Sequence, residues 1–516
     1  MLKGFGYRLE RLSPARLSLG LAGVFAVSHA FYYFLGIRFD GTPLSWYWQY
    51  LDPELLRNKL WESVFYLHSQ PPLFNLFLGI VLKVSRGDGR AIFQAVFLAA
   101  GLALYLSLFW LQLRLGVSRG AAFALSTLFL ISPSFILYEH LLFYTFPLAA
   151  LIALSALLFY EILARRRTWA VAAFFLSLFL ICGVRHTFHI AYYVLAAAFL
   201  AAACAGARRK VLLVAAAPFL VLFSFYAKNF VLFGQFSASS WTGMNFWQMT
   251  GSNLKLEEKE RLLAEGRPSE SALVPPFSAV DEYPAGCADV SRFPDVEALT
   301  QVCKSTGPVN YNHLAFVAAS REYLNDALYV MKRFPGTYFR GLLRSWFIYF
   351  KSSSGHVSGA RFLDETGNLS RISFMNDAYD YLFFGKVFIG PLSRGISSIF
   401  LFKEGEENVY LLLWLGLPLL LFYGFSLALR RSGPGARGFG RSERLTVLYI
   451  CLTILYVALV SNMFSWAENN RMRFPTDPLY VALLGLFIQR VFLGRRRVSG
   501  RLRATNDGSS TSTEGR

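Results

Sequence analysis

Residues 66–79 read YLHSQPPLFNLFLG: a histidine, a serine, a glutamine and two prolines ahead of an apolar run. Whether this stretch crosses a membrane sets the face of every loop that follows. The apolar part, residues 71–84, is about 14 residues long, short of the ~20 that a helix needs to span a bilayer. If it nevertheless crossed, the basic clusters at 165–167 and 208–210 would fall on the outer side. Treating it as a re-entrant or interfacial helix returns both clusters to the inner side, as the positive-inside pattern requires. The polar start then stays at the outer water boundary, since irregular backbone at membrane depth must be covered by protein or a wet cavity.

The rest of the chain supports this frame. Of 516 residues, 55% are hydrophobic, with 50 Phe and 26 Tyr, and the mean hydropathy is +0.41. Apolar runs at 17–37, 91–113, 121–138, 141–163, 169–183, 190–206, 211–226, 409–429, 445–464 and 478–493 read as spans. The expected fold class is an all-α polytopic membrane protein with about 10–12 transmembrane helices. The net charge of +19 is concentrated in short clusters between these runs. That is a topology signal rather than a nucleic-acid surface.

Four parts follow. Residues 1–230 form an N-terminal transmembrane module with a first external loop at 38–70. Residues 231–378 are an external soluble region, rich in Pro, Gly and charge but aromatic enough to fold. Residues 379–497 hold the C-terminal helices, although 379–402, interrupted by GPLSRG, must cross twice or not at all. Residues 498–516 read as a disordered cytoplasmic tail. The first apolar run is basic before it and has small residues near Ser28; it reads as an uncleaved helix, with a cleaved signal peptide the alternative. Cys287 and Cys303 are spaced for one disulfide, or are two free thiols.

Polar groups gather on the expected outer face. Asp40 follows the first helix in IRFDGTPLSWYWQYLD, either as a solvated boundary residue or as a carboxylate over a cavity. In the second case it can serve as a general base or hold a divalent cation such as Mg or Mn. No other cofactor is called for. Asp52 lies in the same loop. Glu139 and His140 occupy a tight turn between two apolar runs, where a Glu-His pair is costly at membrane depth. CGVRHTFHIAYY supplies Arg185, His186 and His189. The histidines are spaced i,i+3, but no third ligand completes a metal site, whereas Arg185 suits a phosphate or a lipid head group. SWAENNRMRFPTDPLYVALLG places Glu468, Arg471 and Arg473 in an external loop, where arginines are disfavoured unless an anion meets them.

Asp40 before HSQPPL, Glu139 further on and RMRFPTDP near the end resemble the pattern of GT-C superfamily membrane glycosyltransferases of the PMT_2 type (dolichyl-phosphate-mannose-protein mannosyltransferase-like). The similarity covers residues 17–230 and 445–490. It departs at Gly41, where relatives often carry a second acid, and at Ser69 and Gln70, which separate His68 from the prolines.

The resemblance implies a GT-C-like bundle and transfer of a sugar from a polyprenyl-phosphate donor to an acceptor hydroxyl on a lipid, polysaccharide or protein. Asp40 and Glu139 would be catalytic. Arg471, Arg473, Arg185 and His68 or Gln70 would hold the donor phosphate. Asp52, His140, His186 and Glu468 would position the acceptor or sugar. The implied setting is a bacterial inner membrane with the active face in the periplasm, among membrane lipids. An endoplasmic-reticulum membrane, where Asn368-Leu-Ser370 would be a sequon, is the alternative. A polysaccharide polymerase or ligase, and a flippase or transporter of lipid-linked saccharide, are the competing readings.

Overall fold

The computed structural model describes residues 9, 12–355, 363–388, 408–430, 439–465 and 467–493. The tail, GPLSRG at 390–395 and the route of the chain through 389–407 lie outside the described residues.

Among the described residues, seven helices are long and apolar enough to cross a membrane. They are α1 (Pro14–Phe34), α3 (Arg90–Arg114), α6 (Thr145–Arg165), the segment Ala205–Phe233 containing α9 (Arg208–Phe233), α14 (Leu411–Leu429), α15 (Arg441–Phe464) and Asn469–Leu493, which contains α16 (Asn469–Arg473) and α17 (Asp477–Ile488). Phe34, Leu419 and Phe422 are each more than 60% exposed on these helices. Water would not tolerate so much bare apolar surface; lipid does. The chain is a multi-pass membrane protein.

Two runs expected to span are present as shorter helices, α7 (Thr168–Val184) and α8 (Ile190–Ala203). The run expected at 121–138 is broken rather than straight. It forms α4 (Arg119–Leu130) and α5 (Pro133–Glu139), bent by 58°. Pro133 lacks an N–H and pushes the residue before it out of helical geometry, and the Ser132 hydroxyl caps the new helix by accepting from Phe135 N at 3.2 Å.

The opening stretch forms α2 (Pro72–Val84), 13 residues long, or about 20 Å at 1.5 Å per residue. His68, Ser69 and Gln70 precede it and are buried in protein. α7 crosses α2 at Gly183, where any Cβ would collide with Leu73.

Residues 241–330, within the stretch expected to be external, fold around a core of their own. α10 (Thr242–Met249), α11 (Ala315–Arg333) and α12 (Pro335–Tyr349) bury Trp241, Trp247, Tyr311, Phe316 and Tyr323. Cys287 is buried within this core while Cys303 is exposed on a surface turn; both are free, so of the two alternatives the structure shows free thiols. Beyond it, α13 (Ser373–Phe384) leads to strand β1 (Lys386–Phe388), which pairs antiparallel with β2 (Asn408–Tyr410). Asn368 of the sequon is buried; its amide donates to Arg38 O at 2.8 Å and its oxygen accepts from Arg38 N at 3.2 Å.

Candidate functional site

The segment 140–144, between α5 and α6, is the spine of the site. Asp40 N donates to His140 O at 2.6 Å and Leu142 N donates to Asp40 O at 2.8 Å, a short parallel bridge. The Tyr50 hydroxyl donates to Leu142 O at 2.9 Å. The Phe143 ring meets Tyr47 edge-on at 4.5 Å and lies 4.6 Å beneath the Arg471 guanidinium. The Tyr144 hydroxyl accepts from Arg471 Nη1 at 3.2 Å, and its ring carries Arg185 at 4.6 Å. One five-residue stretch therefore unites Asp40, Tyr47, Tyr50, Arg185 and Arg471.

The charges here are not paired one to one. Arg471 pairs with Glu468 and also donates to the Tyr47 hydroxyl at 3.4 Å. Arg185 is 5% exposed and donates to Thr187 Oγ1 at 3.1 Å. It has no carboxylate partner among the described residues, and its Nη1 has no hydrogen-bond partner. Burial, with the Arg471 charge nearby, lowers its proton affinity to about 9. A buried unpaired cation is expensive, and an anion would relieve it.

His186 stands beside this pair. Burial, with Arg185 and Arg471 adding to it, pulls its pKa to about 3, so the ring is neutral. Its Nδ1 donates to Gln70 Oε1 at 2.7 Å, and Gln70 Nε2 is buried without a hydrogen-bond partner among the described residues. Gln70 in turn lines a groove of about 390 Å³ between the segment 61–76 and α9, walled by Trp61, Leu73, Leu76, Leu222 and Phe225. The cationic cluster thus communicates, through His186 and Gln70, with an apolar groove.

Asp40 is 3% exposed. Its Oδ1 accepts from Thr42 N at 2.9 Å and Thr42 Oγ1 at 2.7 Å, while Oδ2 bonds no described residue. One oxygen is oriented and the other is available. Glu139 and His140 are not a solvent-facing turn; both are buried. Glu139 Oε2 meets His29 Nε2 of α1, and Oε1 has no hydrogen-bond partner among the described residues. His29 Nδ1 donates to Phe25 O at 2.7 Å, so the histidine and the carboxyl hold one proton between them. The carboxyl fits only because residue 101 is glycine, where a Cβ would collide with it. His140 stacks on His29 at 5.9 Å and donates from Nδ1 to Ile136 O at 2.9 Å.

Three other expected residues are committed elsewhere. Arg473 is fully buried and spends its donors on Asp477, on Tyr349 O, on Lys351 O at 2.8 Å and on Ser353 Oγ at 2.8 Å. His68 donates from Nε2 to Asn312 O at 2.9 Å, and its Nδ1 accepts from Ser240 Oγ at 2.7 Å. Asp52 accepts from Glu54 N at 2.8 Å and from Ser305 N and Oγ, each at 2.6 Å. These three join the membrane module to residues 240–353, and each of their side-chain polar atoms has a hydrogen-bond partner among the described residues. His189 caps α8, its Nδ1 accepting from Ala191 N at 3.2 Å.

Among the described residues, no group of three His, Cys, Asp or Glu side chains is close enough to hold a metal ion. Comparison with known protein families, curated proteins and solved structures finds no match to this chain. Tyr47, Tyr50, Tyr144 and His29 were not singled out from the sequence. His29 could have been found as the one imidazole inside the first apolar helix; the tyrosines are lost among 26.

Proposed function

We propose that the protein is a GT-C-like membrane glycosyltransferase that moves a sugar from a polyprenyl-phosphate donor to an acceptor hydroxyl on the outer, periplasmic face. The observation that carries this reading is the unmatched Arg185 guanidinium beside Arg471, linked through His186 and Gln70 to an apolar groove. A lipid-linked phosphate offers both features at once, an anionic head and an apolar tail.

In this reading Arg185 and Arg471 meet the donor phosphate, and the tail lies along Leu73 and Phe225. Asp40 Oδ2 takes the proton of the acceptor hydroxyl as its oxygen attacks the anomeric carbon. The bond from that carbon to the phosphate oxygen breaks, and the electron pair leaves with the polyprenyl phosphate, so configuration inverts. Charge growing on the departing phosphate is met by guanidinium groups that the aromatic rings already hold in place. The acceptor is a lipid, polysaccharide or protein hydroxyl.

The test uses the purified chain in lipid nanodiscs with radiolabelled polyprenyl-phosphate sugars and a membrane extract as acceptor pool. Transfer by the wild type, abolished in Asp40→Asn and Arg185→Gln with folding intact, supports the reading. The proton shared by His29 and Glu139 favours a second one, a proton-linked flippase. Labelled lipid moving across vesicles without any sugar transfer would put the flippase in place of the transferase.

A further inference from the structure

A tight external turn reaches back onto the first external loop. Cys303 and Val309 form an antiparallel bridge, and Lys304 N donates to Pro308 O at 2.8 Å. Gly307 turns the chain at φ +101°, a conformation other residues rarely adopt. From this rigid turn three side chains reach the loop. Thr306 Oγ1 donates to Ser45 O at 2.6 Å, Ser305 donates to Asp52, and Lys304 Nζ donates to Tyr47 O at 2.7 Å. Lys304 is only 3% exposed. Burial pulls its pKa to about 7 against the opposing pull of Asp52. Either protonation state keeps an N–H for the Tyr47 carbonyl.

Tyr47 is where the strap meets the site. Its backbone carbonyl belongs to the strap, while its hydroxyl accepts from Arg471 and its ring packs on Phe143. A long, flexible lysine buried on one carbonyl is costly in entropy and desolvation, and a neutral side chain would have served a simple loop.

We propose that Lys304 is a positioning residue: the 303–309 strap holds Tyr47, and through Tyr47 holds Arg471 in its aromatic cradle. This rests on the reading of Arg471 as a phosphate-binding group, and it assigns the external region a part in setting that group's position.

The test is hydrogen–deuterium exchange on the full chain in nanodiscs, with Lys304→Met, Lys304→Arg, Ser305→Ala and Tyr47→Phe. Lys304→Met should speed exchange in 44–51 and also in 469–473, by roughly tenfold, the order of one lost hydrogen bond. Lys304→Arg, which keeps donors, should restore both. Tyr47→Phe keeps the strap and should speed exchange only in 469–473. If Lys304→Met does not fold, Ser305→Ala loosens the same strap at the next residue, through its bond to Asp52. Faster exchange confined to 44–51 and 303–309 in the strap variants, or no response at 469–473 in Tyr47→Phe, overturns the proposal.

Decaprenyl monophosphate binding is measured in the same nanodiscs. Absence of binding by the wild type would sink the transferase reading, whereas the exchange data judge the strap without any ligand.

Discussion

Arg185→Met separates a residue kept for a ligand from one kept for the fold. The substitution removes the bond from Nε to Thr187 Oγ1 at 3.1 Å, worth ~1.5–3 kcal/mol for a charged donor. It also removes the contact with the Tyr144 ring at 4.6 Å, worth ~0.5–2 kcal/mol. Against these stands the relief of a buried guanidinium that has no carboxylate partner among the described residues and faces the like charge of Arg471, which costs several kcal/mol. The empty protein should therefore melt at the wild-type temperature or above it. Binding should move the other way. Losing a charge-assisted bond to phosphate costs ~1.5–3 kcal/mol, or roughly 10- to 150-fold in affinity. Melting in detergent, with and without polyprenyl monophosphate, reads both effects. A variant that melts clearly lower yet binds the lipid phosphate as the wild type does would refute the reasoning and make Arg185 structural.

Further outcomes follow from the packing and the charges. Arg473→Ala leaves Asp477 without its cation and two carbonyls without donors. It should cost ~3–5 kcal/mol and show as loss of folded protein, whereas Arg471→Gln should fold. Gly101→Ala puts a Cβ 2.8 Å from Glu139 Cδ, an overpacking worth ~1–3 kcal/mol, visible as a lower melting temperature. His68, His140 and His186 are held neutral by burial, with pKa values near 3, 4 and 3 against 6.5 unfolded. Below 6.5 the unfolded chain binds more protons than the folded one, so stability falls as pH drops from about 6.5 toward 4. Melting curves across that window should show the decline, and His186→Gln should make it shallower.

The all-α, multi-pass character was legible because apolar runs act locally and add along the chain. Breaks were less so: the Ser132–Pro133 bend sits inside a run that hydropathy alone reads as continuous. In the site, Arg185 stood out as a guanidinium suited to a phosphate or a lipid head group, and Arg471 as a cation in a loop expected on the side where cations are disfavoured. Arg473 stood out equally, yet it lies two residues from Arg471 on the short helix α16. Residues i and i+2 of a helix do not share a face, so Arg471 meets Phe143 and Tyr144 while Arg473 turns to 349–353. His68 and Asp52 have the residue types of a site but bind residues 240–312, and their partners Ser240, Asn312 and Ser305 lie far along the chain. Pairings such as Asp40 with Leu142, or His29 with Glu139, depend on tertiary contact and leave no trace in spacing. The cysteines were spaced for a bond, but one was drawn into a core and the other left at a surface turn.

Arg471 and Tyr144, which touch across the spine, are 327 residues apart in sequence. At roughly 5–20 residues per second, the ribosome adds Arg471 some 15–65 s after Tyr144. During that interval the inserted N-terminal helices carry Arg185 without the segment that completes its surroundings. Biogenesis thus has a built-in order: the cationic cluster forms only when the last hairpin, α15 to α17, enters the bundle. A chain cut short before residue 465 would leave a membrane-embedded fragment with half a site, the form that quality-control proteases would be expected to find first.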